Sequence, residues 1–84
     1  MRHRWRFGAH EVAVRTSPFG IGRIRVSHDG RHVGSAAAAY RWGAVRFQAV
    51  EDGKQVGYEV QAWLGPFALQ RFRVVRDGVP VVEA

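Results

Sequence analysis

The sequence predicts an all-β protein: a small antiparallel β-sandwich, or a flattened barrel, of about eight short strands laid down as successive hairpins. Three observations predict it. Asp-Gly occurs at Asp29-Gly30, Asp52-Gly53 and Asp77-Gly78, at spacings of 23 and 25 residues. Apolar and polar residues alternate on both sides of these dipeptides. Ten glycines and three prolines mark a turn-rich chain rather than a helical bundle. Asp-Gly between alternating runs signals a two-residue type I′ turn, because both central residues of that turn take positive φ.

The elements follow in order. Trp5 and Phe7 alternate with Arg4 and Arg6, and Gly8-Ala9 turns the chain into a strand over His10–Arg15. Thr16-Ser17-Pro18-Phe19-Gly20 reads as a loop. Ile24 and Val26 then face one way, and Arg23, Arg25 and Ser27 the other. Pairing His28 with Arg31 across the first Asp-Gly sets Val26 opposite Val33, and gives Arg23 and Arg25 the partners Ala36 and Gly34. Ala36–Ala39 reads as a strand continuation or a single helical turn, small enough for another element to pack closely. Tyr40-Arg41-Trp42-Gly43 and Leu64-Gly65-Pro66 read as turns.

The second Asp-Gly fixes the longest register. Pairing Glu51 with Lys54 sets Ala49 against Val56, Phe47 against Tyr58 and Val45 against Val60 on one face, with Arg46 against Glu59 on the other. A slip of one residue destroys that pattern. Pairing Arg76 with Val79 sets Val74 opposite Val81 and Val75 opposite Pro80. A switch of apolar parity at Gln70-Arg71 predicts a β-bulge or a change of sheet. The expected core is Val12, Val14, Ile24, Val26, Val33, Val45, Phe47, Val56, Tyr58, Val60, Leu69, Phe72, Val74 and Val81. Residues 1–84 read as a single β domain.

Several residues also resemble a known family. Trp5-x-x-Gly8-x-His10-x-Val12, Gly22-x-Ile24-x-Val26-x-x-Asp29-Gly30 and Trp42-Gly43-x-x-x-Phe47 are similar to the Fas apoptosis inhibitory molecule family. So is the last third, from Gly65-x-Phe67 through Phe72-x-Val74 to Asp77-Gly78. The resemblance implies a compact, non-enzymatic β-sandwich that acts through protein contacts. Animal members are associated with protection from cell death and protein aggregation. It implies no site residues.

Composition excludes several functions. With no cysteine there is no disulfide framework, thiolate zinc finger or cysteine nucleophile. No apolar run approaches the ~18 residues of a membrane span. Met1-Arg2-His3-Arg4-Trp5-Arg6 is basic but lacks the apolar stretch of a signal peptide, so the expected location is cytoplasmic. The net charge is +6, and arginine outnumbers lysine twelve to one. Arginine serves bidentate contacts to phosphate or carboxylate. A GC-rich genome enriches arginine together with alanine, glycine and valine, and the chain therefore reads as bacterial.

Chemistry finds little to stand on. His28 and His32 fall on opposite faces of their hairpin, and His3 and His10 are not cross-strand neighbours, so no metal site or cofactor is expected. Asp29, Asp52 and Asp77 serve turns, and Glu59 pairs with Arg46. Glu11, Glu51 and Glu83 remain, with no spacing that brings two together as an acid–base pair. No serine sits in a nucleophile elbow, and no phosphate loop is present. The expectation is a non-enzymatic interaction module with a protein or acidic partner. The alternative is a nucleic-acid-binding β domain in which Arg23, Arg25, Arg71 and Arg73 track phosphates and Trp42 or Trp63 stacks bases. A plainer reading makes these arginines a solvated face that protects sheet edges. The C-terminal valine strand is a candidate edge for homo-oligomer formation.

Overall fold

The computed structural model describes residues 2–16, 22–38, 42–65 and 70–81. Its eight strands are β1 (Arg2–Phe7), β2 (His10–Thr16), β3 (Arg23–His28), β4 (Arg31–Ala37), β5 (Trp42–Glu51), β6 (Lys54–Leu64), β7 (Gln70–Arg76) and β8 (Val79–Val81). They form two four-stranded antiparallel sheets in sequential order, β1-β2-β3-β4 and β5-β6-β7-β8. The sheets pack face to face as a sandwich rather than closing into a barrel. Trp5 of one sheet meets Phe72 of the other edge-on, and Phe7 meets Tyr58.

The three Asp-Gly turns form as expected. Asp29, Asp52 and Asp77 take φ of 49°, 53° and 50°, and Gly30, Gly53 and Gly78 take 82°, 79° and 79°. Two of these aspartates do more than turn the chain. Asp29 donates its N–H to the carbonyl of Glu11, and its Oδ1 accepts the N–H of Glu11, both at 2.8 Å. Asp77 makes the same pair of bonds with Gly57, again at 2.8 Å. Each clamps a hairpin to the strand beside it, β3–β4 to β2 and β7–β8 to β6. The structural repeat is thus the four-stranded sheet.

Register agrees with the sequence reading across the second and third turns, from Glu51↔Lys54 to Val45↔Val60 and from Arg76↔Val79 to Val74↔Val81. The first hairpin departs from it. His28 pairs Arg31 and Ser27 pairs His32, but a bulge between Val26 and Ser27 then sets Val26 opposite Gly34. Arg23 and Arg25 accordingly face Ala37 and Ser35 instead of Ala36 and Gly34. The bulge leaves Val33 half-buried against the core. By contrast, β7 pairs β6 without a shift from Leu64↔Gln70 to Tyr58↔Arg76, so Gln70-Arg71 carries no bulge.

Trp42 and Gly43 belong to β5 and Leu64 to β6, where turns were expected, and Thr16 closes β2. The proposed turn and loop residues Ser17–Gly20, Tyr40, Arg41 and Pro66, with Ala39 and Leu69, lie outside the described residues. The core holds Val12, Val14, Ile24, Val26, Val45, Val56, Tyr58, Val60, Phe72 and Val74 as expected. Trp5, Ala38, Ala62 and Leu64 join it, while Phe47 and Val81 sit at its margin. Ala36 and Ala37 continue β4, and Ala38 is fully buried beyond its end.

Gly53 tests the turn directly. A Cβ there meets nothing within 4 Å, so only the backbone conformation selects glycine. Gly53→Val is expected to cost more than the ~0.5 kcal/mol of an ordinary surface change, because a β-branched side chain is strained at positive φ. Gly53→Asn is expected to cost less, since asparagine tolerates that region. Thermal unfolding of the two variants measures the difference, and equal costs would contradict the turn.

Candidate functional site

The six residues singled out from the sequence divide between two surfaces. Arg23 and Arg25 project from the outer face of β1–β4, and Arg71 and Arg73 from the outer face of β5–β8. The two arginine pairs therefore cannot line one site.

On the first outer face, alternation along four strands collects the cations. Arg2 of β1 lies directly opposite Arg15 of β2, and Arg15 opposite Arg25 of β3. Like charges facing each other directly across strands are destabilising. Among the described residues, none of these three guanidinium groups has a carboxylate partner. Arg2, Arg15, Arg25 and His32 line one groove. Arg4 and Arg6 share Glu11 at 3.8 and 3.6 Å. Arg15 was missed at the sequence level; its parity with Glu11 and Ala13 was the available signal.

The second outer face carries the aromatics. Trp42 is opposite Trp63, which is opposite Arg71. Trp42 is 51% exposed, and the Arg73 guanidinium lies 5.7 Å from its ring centroid. The structure thus brings together Trp42, Trp63, Arg71 and Arg73. Glu59 tempers the charge of this face. It takes hydrogen bonds from Gln61 at 3.0 Å and Arg46 at 3.4 Å, and the Gln61 bond does most to hold its carboxyl below the usual range.

A third group lies inside the sandwich. Glu51, the last residue of β5, is only 2% exposed. Its Oε1 accepts from Arg76 at 2.7 Å, and its Oε2 accepts from the Tyr58 hydroxyl and faces His28 Nε2 at 2.7 Å. Arg76 also donates to the Tyr58 oxygen at 3.1 Å and caps the Phe7 ring at 5.5 Å. Burial pushes the Glu51 carboxyl upward, but the hydrogen bonds from Arg76, Tyr58 and His28 outweigh it and hold the pKa at about 2. Burial, then the hydrogen bond to Glu51, pushes the Tyr58 phenol to about 12. This carboxylate lies far below the pKa of a general base poised near the working pH. Nothing in the local sequence marks Glu51, because its burial depends on the facing sheet.

His10 and His28 meet at the same end. Their rings are nearly parallel, with centroids 5.8 Å apart. His3 stays apart from His10, and His28 from His32, as the strand pattern predicts. The pairing of β2 with β3, Val12↔His28, instead brings His10 to His28.

Comparison with protein-family models, curated proteins and solved structures finds no match. Among the described residues no helix is long and apolar enough to cross a membrane.

Proposed function

We propose that the protein is a non-catalytic binding module that takes an acidic partner on the outer face of β1–β4, with the cytoplasm as its setting. The row Arg2–Arg15–Arg25 carries this reading. Three guanidinium groups stand side by side on adjacent strands with no carboxylate partner among the described residues. An anionic partner relieves that repulsion and finds bidentate donors at strand spacing. The Glu51 network supports the non-catalytic class, which the family resemblance also implies. β8 is a sheet edge, but Pro80 offers no amide donor there, which weakens strand addition as the route to a partner.

A second reading rests on a different observation. Trp42 and Trp63 side by side with Arg73 over one ring form a stacking platform for bases of a single strand. One experiment separates the two. The protein is titrated with a fluorescein-labelled deca-glutamate peptide and with a labelled mixed-sequence single-stranded oligonucleotide, at low and near-physiological salt. Tryptophan emission is followed in parallel. The acidic-partner reading expects salt-sensitive binding of both probes, unchanged tryptophan emission, and several-fold weaker binding in Arg15→Gln. If the oligonucleotide contacts this face through phosphates, losing one contact lowers the salt slope by about 1. Binding of the oligonucleotide alone, with tryptophan quenching and no effect of Arg15→Gln, supports the base-stacking face instead. No binding of either probe at low salt overturns both.

A further inference from the structure

We propose that His10, His28 and Glu51 form a binding site for a divalent transition-metal ion of the zinc class. The three residues come from the start of β2, the end of β3 and the end of β5, so the site joins the two sheets at one end of the sandwich. One donor atom from each lies within 4.8 Å of the others.

The arrangement around the His10 imidazole is that of a metal ligand with an outer carboxylate, and His28 lies just beyond hydrogen-bond reach of the same carboxylate. Asp29 Oδ2 is 2.7 Å from Nδ1 of His10 and 3.7 Å from Nδ1 of His28. Asp29 is itself fixed through its Oδ1 and N–H by the backbone of Glu11. Metal-bound histidines characteristically donate their second N–H to such a carboxylate, which sets the tautomer and turns the other nitrogen toward the ion. On His10 this leaves Nε2 with its lone pair. That atom is buried and has no hydrogen-bond partner among the described residues. A buried imidazole nitrogen that faces Glu51 and His28 without a hydrogen-bond partner is the independent sign that a ligand belongs there.

The rest of the donor set agrees. His28 Nε2 and Glu51 Oε2 are 2.7 Å apart, held by one shared proton. Zinc bonds of about 2.0–2.2 Å at a tetrahedral angle set two donors roughly 3.3 Å apart. An ion that replaces the proton therefore asks these two atoms to separate by only about half an ångström. Arg76 occupies Oε1, so Glu51 would ligate through Oε2 alone, with the Tyr58 hydroxyl donating to the second lone pair of that oxygen. The exposed Asp52 carboxylate lies 3.7 Å from His10 Nε2 and offers a fourth ligand, in competition with water. Two imidazoles with a carboxylate suit zinc, copper, nickel or iron; calcium and magnesium call for oxygen donors.

The test is isothermal titration calorimetry of the chelator-treated full chain with zinc chloride at pH 7.5. One equivalent is expected to bind at micromolar or tighter affinity. His10→Gln is expected to weaken binding at least tenfold, and Asp29→Asn by about 10–100-fold, the range seen when outer carboxylates are removed. His32→Gln is expected to leave it unchanged. Circular dichroism of the metal-free variants separates lost binding from lost fold. If His10→Gln unfolds, zinc protection of wild-type His10 and His28 from diethyl pyrocarbonate modification replaces it, with His32 unprotected. No zinc uptake by the wild type at 100 μM, unaltered uptake in folded His10→Gln, or modification of His10 and His28 unaffected by zinc overturns the proposal.

Discussion

Glu51→Ala is expected to destabilise the protein by about 3 kcal/mol, a large part of what a domain this small possesses. The change leaves the Arg76 guanidinium, the Tyr58 hydroxyl and His28 Nε2 facing a void at a buried position. Losing one partner of a buried charge pair typically costs 3–5 kcal/mol. Arg76 is about a third exposed and keeps some hydration, which places the cost at the lower end. Glu51→Gln keeps the shape and one acceptor, and is expected to cost less. Urea unfolding of the metal-free protein measures both; a loss below about 1 kcal/mol for Glu51→Ala would show that the network is dispensable.

The same residue dictates an acid dependence. Glu51 has its pKa lowered from 4.5 to about 2 in the folded state. A carboxyl whose folded pKa is depressed stabilises the protein above its unfolded pKa, and that stability is lost as pH falls through the folded value. The window is therefore pH 4.5 down to about 2. The side chain is only 1% exposed, so little solvent screens the effect. Wild-type stability should fall across this window, and Glu51→Gln should remove most of that slope. A slope unchanged in Glu51→Gln would assign acid sensitivity to other carboxylates, such as Asp29.

Gly43→Ala is expected to cost at least the upper part of the ~1–3 kcal/mol range for overpacking. A Cβ at Gly43 would drive into the backbone carbonyl oxygen of Ala37 and come within 3.1 Å of the Ala38 Cβ. Backbone cannot rotate aside as a side chain can, so the crossover from β4 to β5 must open. Gly57→Ala is the matched control, also within a strand. Its Cβ would meet only Asp77 Oδ1, at 3.8 Å. It is expected to be neutral or slightly stabilising, since alanine restricts the unfolded chain more than glycine does. Equal melting temperatures for the two variants would contradict the close approach.

The hairpins were readable in the sequence because everything that specifies them is local. A two-residue turn at Asp52-Gly53 sets a period-two pattern, and Phe47↔Tyr58 and Arg46↔Glu59 follow by counting outward. Even the small-residue run at Ala36–Ala39 announced a close approach, although its partner Gly43 was assigned to a turn. The first hairpin slipped because a bulge at Val26/Ser27 inserts one residue that counting cannot detect.

The sequence by itself determined the eight-strand hairpin order, most of the core and the outward faces of Arg23, Arg25, Arg71 and Arg73. Tertiary structure alone decided how hairpins join and what lies beneath them. The row Arg2–Arg15–Arg25 needs β1, β2 and β3 side by side, and the meeting of His10 with His28 needs β2 paired to β3. The burial of Glu51 needs a second sheet to cover it. Hairpin register is set by residues a few positions apart, through turn geometry and alternation. Pairing between hairpins and packing between sheets depend on distant residues, where burial turns an unremarkable glutamate into the centre of a hydrogen-bonded network.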